Sequence, residues 1–155
     1  MNNLPRISVL VVGAISTIAG FLGLCYNGMT LTVALRGGFS DLIKEQSLTG
    51  FYPAFYTMSG ICVVCYLLLL TCGIALLRAR LRWSGFLTGL LLFEMIYFLS
   101  IALLWKRLPD SLSVTAATGV ANGGLIVQFI ILFPLWGPLV LRWARKRLEH
   151  DTPSN

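Results

Sequence analysis

Charged residues are scarce in this chain. Only 12% of its 155 residues are Asp, Glu, Lys or Arg, whereas 57% are hydrophobic. A soluble domain carries about 25% charged residues, so this chain is too apolar to stay dispersed in water. In a membrane, the apolar side chains that do not fit in a protein core can contact lipid instead. We therefore expect an integral membrane protein made of a single domain.

Several kinds of functional group are also missing from the apolar part of the chain. The single histidine, His150, lies in a polar segment, which excludes paired-histidine haem ligation and histidine-rich metal sites within a membrane. All three lysines lie outside the apolar segments, so a buried Schiff-base lysine is excluded as well. No cysteine lies in a polar loop where a disulfide framework would form. We expect no metal and no cofactor.

Long apolar segments dominate what is present. We predict four transmembrane helices, each long enough to cross a hydrocarbon core of about 30 Å at about 1.5 Å per residue. Because the second and third connections are short, successive helices should be antiparallel neighbours in an all-α four-helix bundle. The predicted spans are residues 7–27, 54–77, 83–105 and 115–141, with an outer connection at 27–53 and a polar tail at 142–155.

The long connection has two open interpretations. Residues 39–46 fit either a solvated loop or a short amphipathic helix on the membrane surface, with Phe39, Leu42 and Ile43 directed inward. An aromatic group follows it and suits the headgroup region at the start of the second span. This group consists of Phe51, Tyr52, Phe55 and Tyr56.

The last predicted span ends in an unusual sequence, in which Pro134 and Pro138 surround Trp136 and Gly137. Each proline removes a backbone donor and clashes with the preceding helical turn, so we expect a bend there. After the basic residues that follow, we expect residues 148–155 to form a disordered tail.

Basic residues are concentrated in two short segments. With four spans, the connection after the second span and the segment after the fourth lie on the same side of the membrane. The positive-inside rule then places both termini in the cytoplasm, in a plasma or bacterial inner membrane. The expected partners are anionic lipid headgroups rather than nucleic acid. The residues concerned are Arg78, Arg80, Arg82, Arg142, Arg145, Lys146 and Arg147.

Glu94 is the one charged residue within the predicted apolar spans. It lies about halfway along the third span, where a charged carboxylate costs about 2.5–3.5 kcal/mol on insertion scales. Thr17, Tyr66 and Gln128 are expected at the same depth and can donate hydrogen bonds, with Asn122 nearer the outer face. We predict that some of these side chains form an intramembrane polar cluster with Glu94.

Cys62 and Cys65 form a CxxC pair in the second predicted span. A spacing of three places both sulfur atoms on one side of a helix. Such a pair supports redox chemistry where the thiols are accessible, whereas buried cysteines behave as small hydrophobic residues. The pair is therefore compatible with a redox site or with ordinary packing.

Small residues recur at the spacing that lets membrane helices pack closely. Five of them follow one side of the first span, and two GxxxG pairs lie in the third and fourth spans. On the first span these residues are Gly13, Ser16, Thr17, Gly20 and Gly23, and the pairs are Gly85 with Gly89 and Gly119 with Gly123.

Three functions are compatible with these patterns. The first is a non-catalytic accessory or assembly subunit, working as a homo-oligomer or with other membrane subunits, in which the acid fixes helix contacts. The second is a proton- or cation-coupled carrier of a small molecule, centred on Glu94. The third is a membrane thiol oxidoreductase using Cys62 and Cys65. We favour the first of these, and with it the absence of enzymatic activity.

Overall fold

The computed structural model describes residues 3–45, 50–107 and 112–150, and these residues form seven helices. The all-α prediction is confirmed for this part of the chain. In chain order the helices are α1 (Leu4–Leu35), α2 (Ser40–Glu45), α3 (Phe51–Leu77), α4 (Trp83–Arg107), α5 (Leu112–Ala121), α6 (Gly123–Ile130) and α7 (Phe133–His150).

Three of these helices are long and apolar enough to cross a membrane. α1, α3 and α4 have 32, 27 and 25 residues, more than the about 20 that a hydrocarbon core requires. α6 and α7 pass the same test only together, and they are bent by 59° at the break between them. The described residues thus contain three candidate spans, or four if the bent pair is one span.

α1 continues well beyond its predicted end at residue 27. It ends at Leu35, and Gly37 follows with a φ of 74°, a left-handed conformation that favours glycine. The Gly38 amide donates to the Val33 carbonyl at 2.9 Å, which closes the last turn of the helix. The first part of the predicted outer connection is therefore helical. The helix continues this far because no strong helix-stop signal comes before Gly37 and Gly38.

The segment after the glycine pair contains the short helix α2, in agreement with the helical interpretation. Phe39, just before it, packs against Phe51 and Phe55, with ring centroids 5.5 and 5.8 Å apart. Phe51 and Phe55 are buried in the bundle, so these two rings pack against protein, and their depth at the headgroups stays a prediction. The side chains of Leu42 and Ile43 lie outside the described part of the chain.

The predicted fourth span is not one helix. Asn122 separates α5 from α6, and Ile131 and Leu132 separate α6 from α7. Pro134 lies in the first turn of α7, where a helix does not need its N–H donor, and Pro138 lies inside the same helix. The predicted bend is present, but it lies immediately before the prolines.

α7 also continues into the predicted tail. It ends at His150, and Leu148 packs against the core. The prediction of disorder is therefore wrong for residues 148–150, and residues 151–155 lie outside the described part. α7 buries an apolar side against the bundle and exposes its basic residues, which are Arg142, Arg145, Lys146 and Arg147.

α1 and α3 form the central pair of the bundle. They run antiparallel, because Gly13 lies against Leu76 while Gly20 lies against Leu70. A Cβ atom at Gly20 would be only 2.6 Å from the backbone nitrogen of Leu70, so the two backbones approach as closely as glycine allows. α4 packs against α3 and α7, α5 packs against α3, and α6 packs against α1.

Apolar side chains are buried in two clusters near the two ends of the bundle. One, which includes Val12, joins the beginnings of α1 and α4 with the end of α3 and with α7. The other, which includes Phe55, joins the end of α1, the beginning of α3 and α5. A third cluster of Cys62, Tyr66 and Leu125 lies on the middle parts of α3 and α6. Polar side chains gather around this third cluster.

Candidate functional site

A group of polar side chains, which we call the polar layer, lies around the third cluster. α3 supplies three of its members from one side of the helix, and α4 supplies two that are three positions apart. The others come from α6 and from the residue between α5 and α6. The members are Cys62, Cys65, Tyr66, Glu94, Tyr97, Asn122 and Gln128.

Glu94 is the charged residue of the polar layer, and its side chain is completely buried. Neither of its carboxyl oxygens has a hydrogen-bond partner among the described residues. The group lies within electrostatic range of Cys62, Cys65 and Tyr66 on α3. Burying an unpaired carboxylate is far less favourable than burying a neutral acid, so this interior favours the protonated form.

The predicted partners of Glu94 have different surroundings. Tyr66 is within electrostatic range of the carboxyl group, but its ring lies against Gly23 on α1. Gln128 is buried on α6. Thr17 belongs to the contact between α1 and α3 instead. Its hydroxyl donates to the Gly13 carbonyl at 2.8 Å, and its backbone lies against Gly73. The sequence could not say which way Thr17 faces.

The side chain of Asn122 is held by contacts with three other residues of the bundle. The Cys62 thiol donates to Asn122 Oδ1 at 2.9 Å, and the Asn122 amide donates to the Thr118 carbonyl at 3.0 Å. The Thr118 hydroxyl in turn donates to the sulfur of Met58 at 3.0 Å. This network fixes α3 to the break between α5 and α6, so Asn122 has a structural role beside Glu94.

The remaining polar groups of the layer are unpaired. The hydroxyl of Tyr97 lies close to Cys62 and Asn122, but neither it nor the Tyr66 hydroxyl has a hydrogen-bond partner of sound geometry in the described part of the chain. The same is true of both amide atoms of Gln128. Buried polar groups are normally hydrogen-bonded, so this arrangement is suited to hold a proton or a small polar molecule.

The CxxC pair is buried. Cys62 has no exposed surface and Cys65 is 3% exposed, and both are free thiols. Cys62 is already engaged with Asn122, while Cys65 lines an apolar groove. A redox thiol must be accessible to its reaction partner, whereas both of these thiols are shielded inside the bundle.

The glycines of the predicted pairs differ in their surroundings. Gly123 lies against the hydroxyl of Tyr26, whereas a Cβ atom at Gly89 or Gly119 would meet nothing within 4 Å. At Gly85 it would meet only a guanidinium nitrogen of α7, at 3.9 Å. None of the four thus has the backbone of another helix among its nearest contacts in the described residues. The close helix contacts are at Gly13, Gly20 and Gly23, as predicted, and also at Gly73, which lies outside the predicted set.

Two apolar grooves reach the lipid-facing surface. The first lies between α3 and α4, has a volume of about 630 Å³ and is lined by Cys65, Leu68 and Leu90 among others. The second lies between α1 and α6 and has a volume of about 500 Å³. Among the described residues that line this second groove, Gln128 is the only carboxamide. Tyr26 also lines it, and sequence reasoning missed this residue because a lone tyrosine in an apolar helix carries no periodic signal.

One end of the bundle gathers most of the positive charge. α3 ends beside the beginning of α1, where Leu76 contacts Gly13, and the guanidinium of Arg145 on α7 lies near Gly85 at the beginning of α4. The exposed basic residues of this end are Arg6, Arg78, Arg80, Arg82, Arg142, Arg145, Lys146 and Arg147. We call this group the basic end.

The described residues contain no group of three or more His, Cys, Asp or Glu side chains placed to hold a metal ion. Comparison of the chain with protein-family models, with curated proteins and with solved structures finds no match. Its composition and helices define the class to which it belongs. It is a small multi-span helical membrane protein.

Proposed function

We propose that this protein is a small membrane carrier in which Glu94 binds the transported proton. The observation that carries the proposal is the complete burial of Glu94 with both carboxyl oxygens unpaired in the described part of the chain. Ionisable residues within membrane helices most often mark ion or substrate pathways. A proton needs only one carboxyl group, whereas hard metal cations need several oxygen ligands.

The broken fourth segment supports the same proposal. Carriers often bind their ions beside discontinuous helices near the middle of the membrane. Here Asn122 interrupts the segment within the polar layer, and a second break lies at residues 131–132, shortly after Gln128. Such breaks are tolerated at membrane depth where protein covers the backbone or a cavity adjoins it, and they allow α6 to move relative to α7.

An accessory or assembly role stays the main alternative. The burial of Glu94 within its own bundle removes one argument for it, because a partner subunit cannot reach this carboxyl group without opening the helices. Self-association is more plausible on the outer face of α4, where Gly85 and Gly89 are exposed and form a GxxxG pair. A thiol oxidoreductase is the weakest candidate, because both thiols are buried.

The basic end gives the proposed orientation. The positive-inside rule places it, and with it both termini, in the cytoplasm of a plasma or bacterial inner membrane. Anionic headgroups are the proposed partners of its arginines and lysine, each contributing about 1 kcal/mol near a charged surface.

Proton flux into sealed vesicles tests the proposed function. The purified protein is reconstituted into vesicles that contain a pH-sensitive dye, and a potassium diffusion potential drives protons inward. We expect flux above that of empty vesicles, and we expect Glu94→Gln to reduce it to the empty-vesicle level. Asp41→Asn is the matched control, since it removes an exposed carboxyl group on α2. Equal flux in wild type and folded Glu94→Gln, or no flux in wild type, would overturn the proposal.

A further inference from the structure

The groove between α1 and α6 has a construction that suits a lipid chain. α1 contributes residues spaced by three or four positions, so they form one stripe along the helix. Ile18, Leu22, Val127 and Ile131 form part of its lining and are more than half exposed in the isolated bundle. The groove therefore opens toward acyl chains, and its occupant comes from within the bilayer.

The inner side of the groove contains a polar group that the protein does not satisfy. Gln128 lines the groove and is only 3% exposed, and neither its amide nitrogen nor its amide oxygen has a hydrogen-bond partner among the residues described. The Tyr66 hydroxyl, which is also unpaired, lies against Gly124 on the same wall. An unsatisfied buried carboxamide is unfavourable by about 1–3 kcal/mol, and a ligand that pairs with it would recover that free energy.

The hydrogen-bonding groups of the Gln128 carboxamide determine which polar head group the ligand needs. Gln128 offers an N–H donor and a carbonyl acceptor side by side in a plane. A neutral carboxyl group or a primary amide matches both at once, whereas an ester offers only acceptors. A volume of about 500 Å³ lies within the usual range for small-molecule sites, about 300–1,000 Å³.

We propose that the groove between α1 and α6 binds a single-chain lipid whose head is a neutral carboxyl or carboxamide group paired with Gln128. The chain lies along the apolar stripe of α1, and the head reaches the carboxamide on α6. This site does not depend on Glu94, so the proposed proton carrier and this lipid site can fail independently.

Binding of three matched ligands tests the proposal. Hexadecanoic acid, its primary amide and its methyl ester are titrated against the detergent-solubilised protein, and the bound fraction is measured by native mass spectrometry. We expect the acid and the amide to bind about tenfold more tightly than the ester, the difference of about one hydrogen bond to a buried group. Gln128→Leu should remove this preference while still binding the ester, which also shows that the variant is folded.

Two substitutions on α6 test the position of the chain. Val127→Trp places a large side chain in the groove and should weaken all three ligands. Ile130→Trp is the matched control, because Ile130 is 73% exposed and does not line the groove. Equal affinity for acid, amide and ester in wild type, or a preference that survives Gln128→Leu, would overturn the proposed pairing. Unchanged binding in Val127→Trp would overturn the proposed location.

Discussion

The thiol of Cys62 on α3 donates a 2.9 Å hydrogen bond to Oδ1 of Asn122, the residue at which α5 ends and α6 begins. The bond joins two parts of the chain that are far apart in sequence, and both partners are buried. It holds the break in the fourth segment against α3. The same thiol that suggested redox chemistry in the sequence is therefore a structural donor in the folded protein.

Removing this hydrogen bond should destabilise the bundle. We expect Asn122→Ala to lower the free energy of unfolding by about 1–3 kcal/mol, because it removes the hydrogen-bond acceptor of the buried Cys62 thiol on α3. Cys62→Ser keeps a hydroxyl donor and should lose less. Thermal unfolding of the detergent-solubilised proteins compares them, and an Asn122→Ala protein as stable as wild type would contradict the assigned role.

The contact between α1 and α3 depends on glycine at particular positions. In Gly20→Ala the new methyl group would meet the backbone of Leu70 and Tyr66 at 2.6 and 2.8 Å, so the helices must separate, at a cost of about 1–3 kcal/mol. Gly28→Ala, on the same helix, meets nothing within 4 Å and should be neutral or stabilising, since alanine favours helix. Loss of thermal stability in Gly28→Ala equal to that in Gly20→Ala would refute this explanation.

The end of α3 contains a residue in an unfavourable conformation. Ala79 has a φ of 56°, and the Arg80 amide donates to the Ala75 carbonyl at 3.0 Å, as in a helix end that normally places glycine here. We expect Ala79→Gly to stabilise the protein by about 1 kcal/mol, because glycine adopts this conformation without strain. Ala102→Gly, inside α4, should instead destabilise it in the same unfolding assay.

Thiol labelling should distinguish the four cysteines. Cys25 is exposed, whereas Cys62, Cys65 and Cys72 are buried. In detergent we expect N-ethylmaleimide to modify one thiol of the native protein quickly and the other three only after unfolding, as measured by intact mass. Cys25→Ala should remove the fast reaction. A disulfide-dependent gel shift that Cys65→Ser abolishes would revive the oxidoreductase hypothesis.

The orientation can be measured with single cysteines. In a background without native cysteines, Arg80→Cys reports the basic end and Asp41→Cys reports the opposite end on α2. We expect a membrane-impermeant maleimide added to intact cells to label position 41 and not position 80. The reverse pattern would place the basic end outside the cell.

Much of the architecture follows from the linear sequence. The long apolar segments predict the helices α1, α3 and α4, and the lone acid near the middle of one of them predicts a buried polar residue. The helix ends were less predictable. Residues 27–35 are apolar enough to continue α1, and the stop at Gly37 depends on a backbone conformation that neighbouring hydrogen bonds select.

The sequence could not predict how each helix is rotated about its own axis, and therefore which of its side chains face the interior. Thr17, Tyr66 and Gln128 are expected at one depth, but only the packed bundle places Thr17 against Gly73 and the ring of Tyr66 against Gly23. A GxxxG pair likewise permits a close contact without choosing its partner, which is why Gly20 is packed and Gly89 is exposed.

The sequence by itself determined that this protein belongs in a membrane and that one acid would have to be accommodated there, because hydropathy and desolvation are properties of each segment alone. The tertiary structure alone decided what surrounds that acid, where the fourth segment breaks and which glycines bring helices together. Those outcomes depend on how side chains from distant segments fit against one another, and no single segment contains that information.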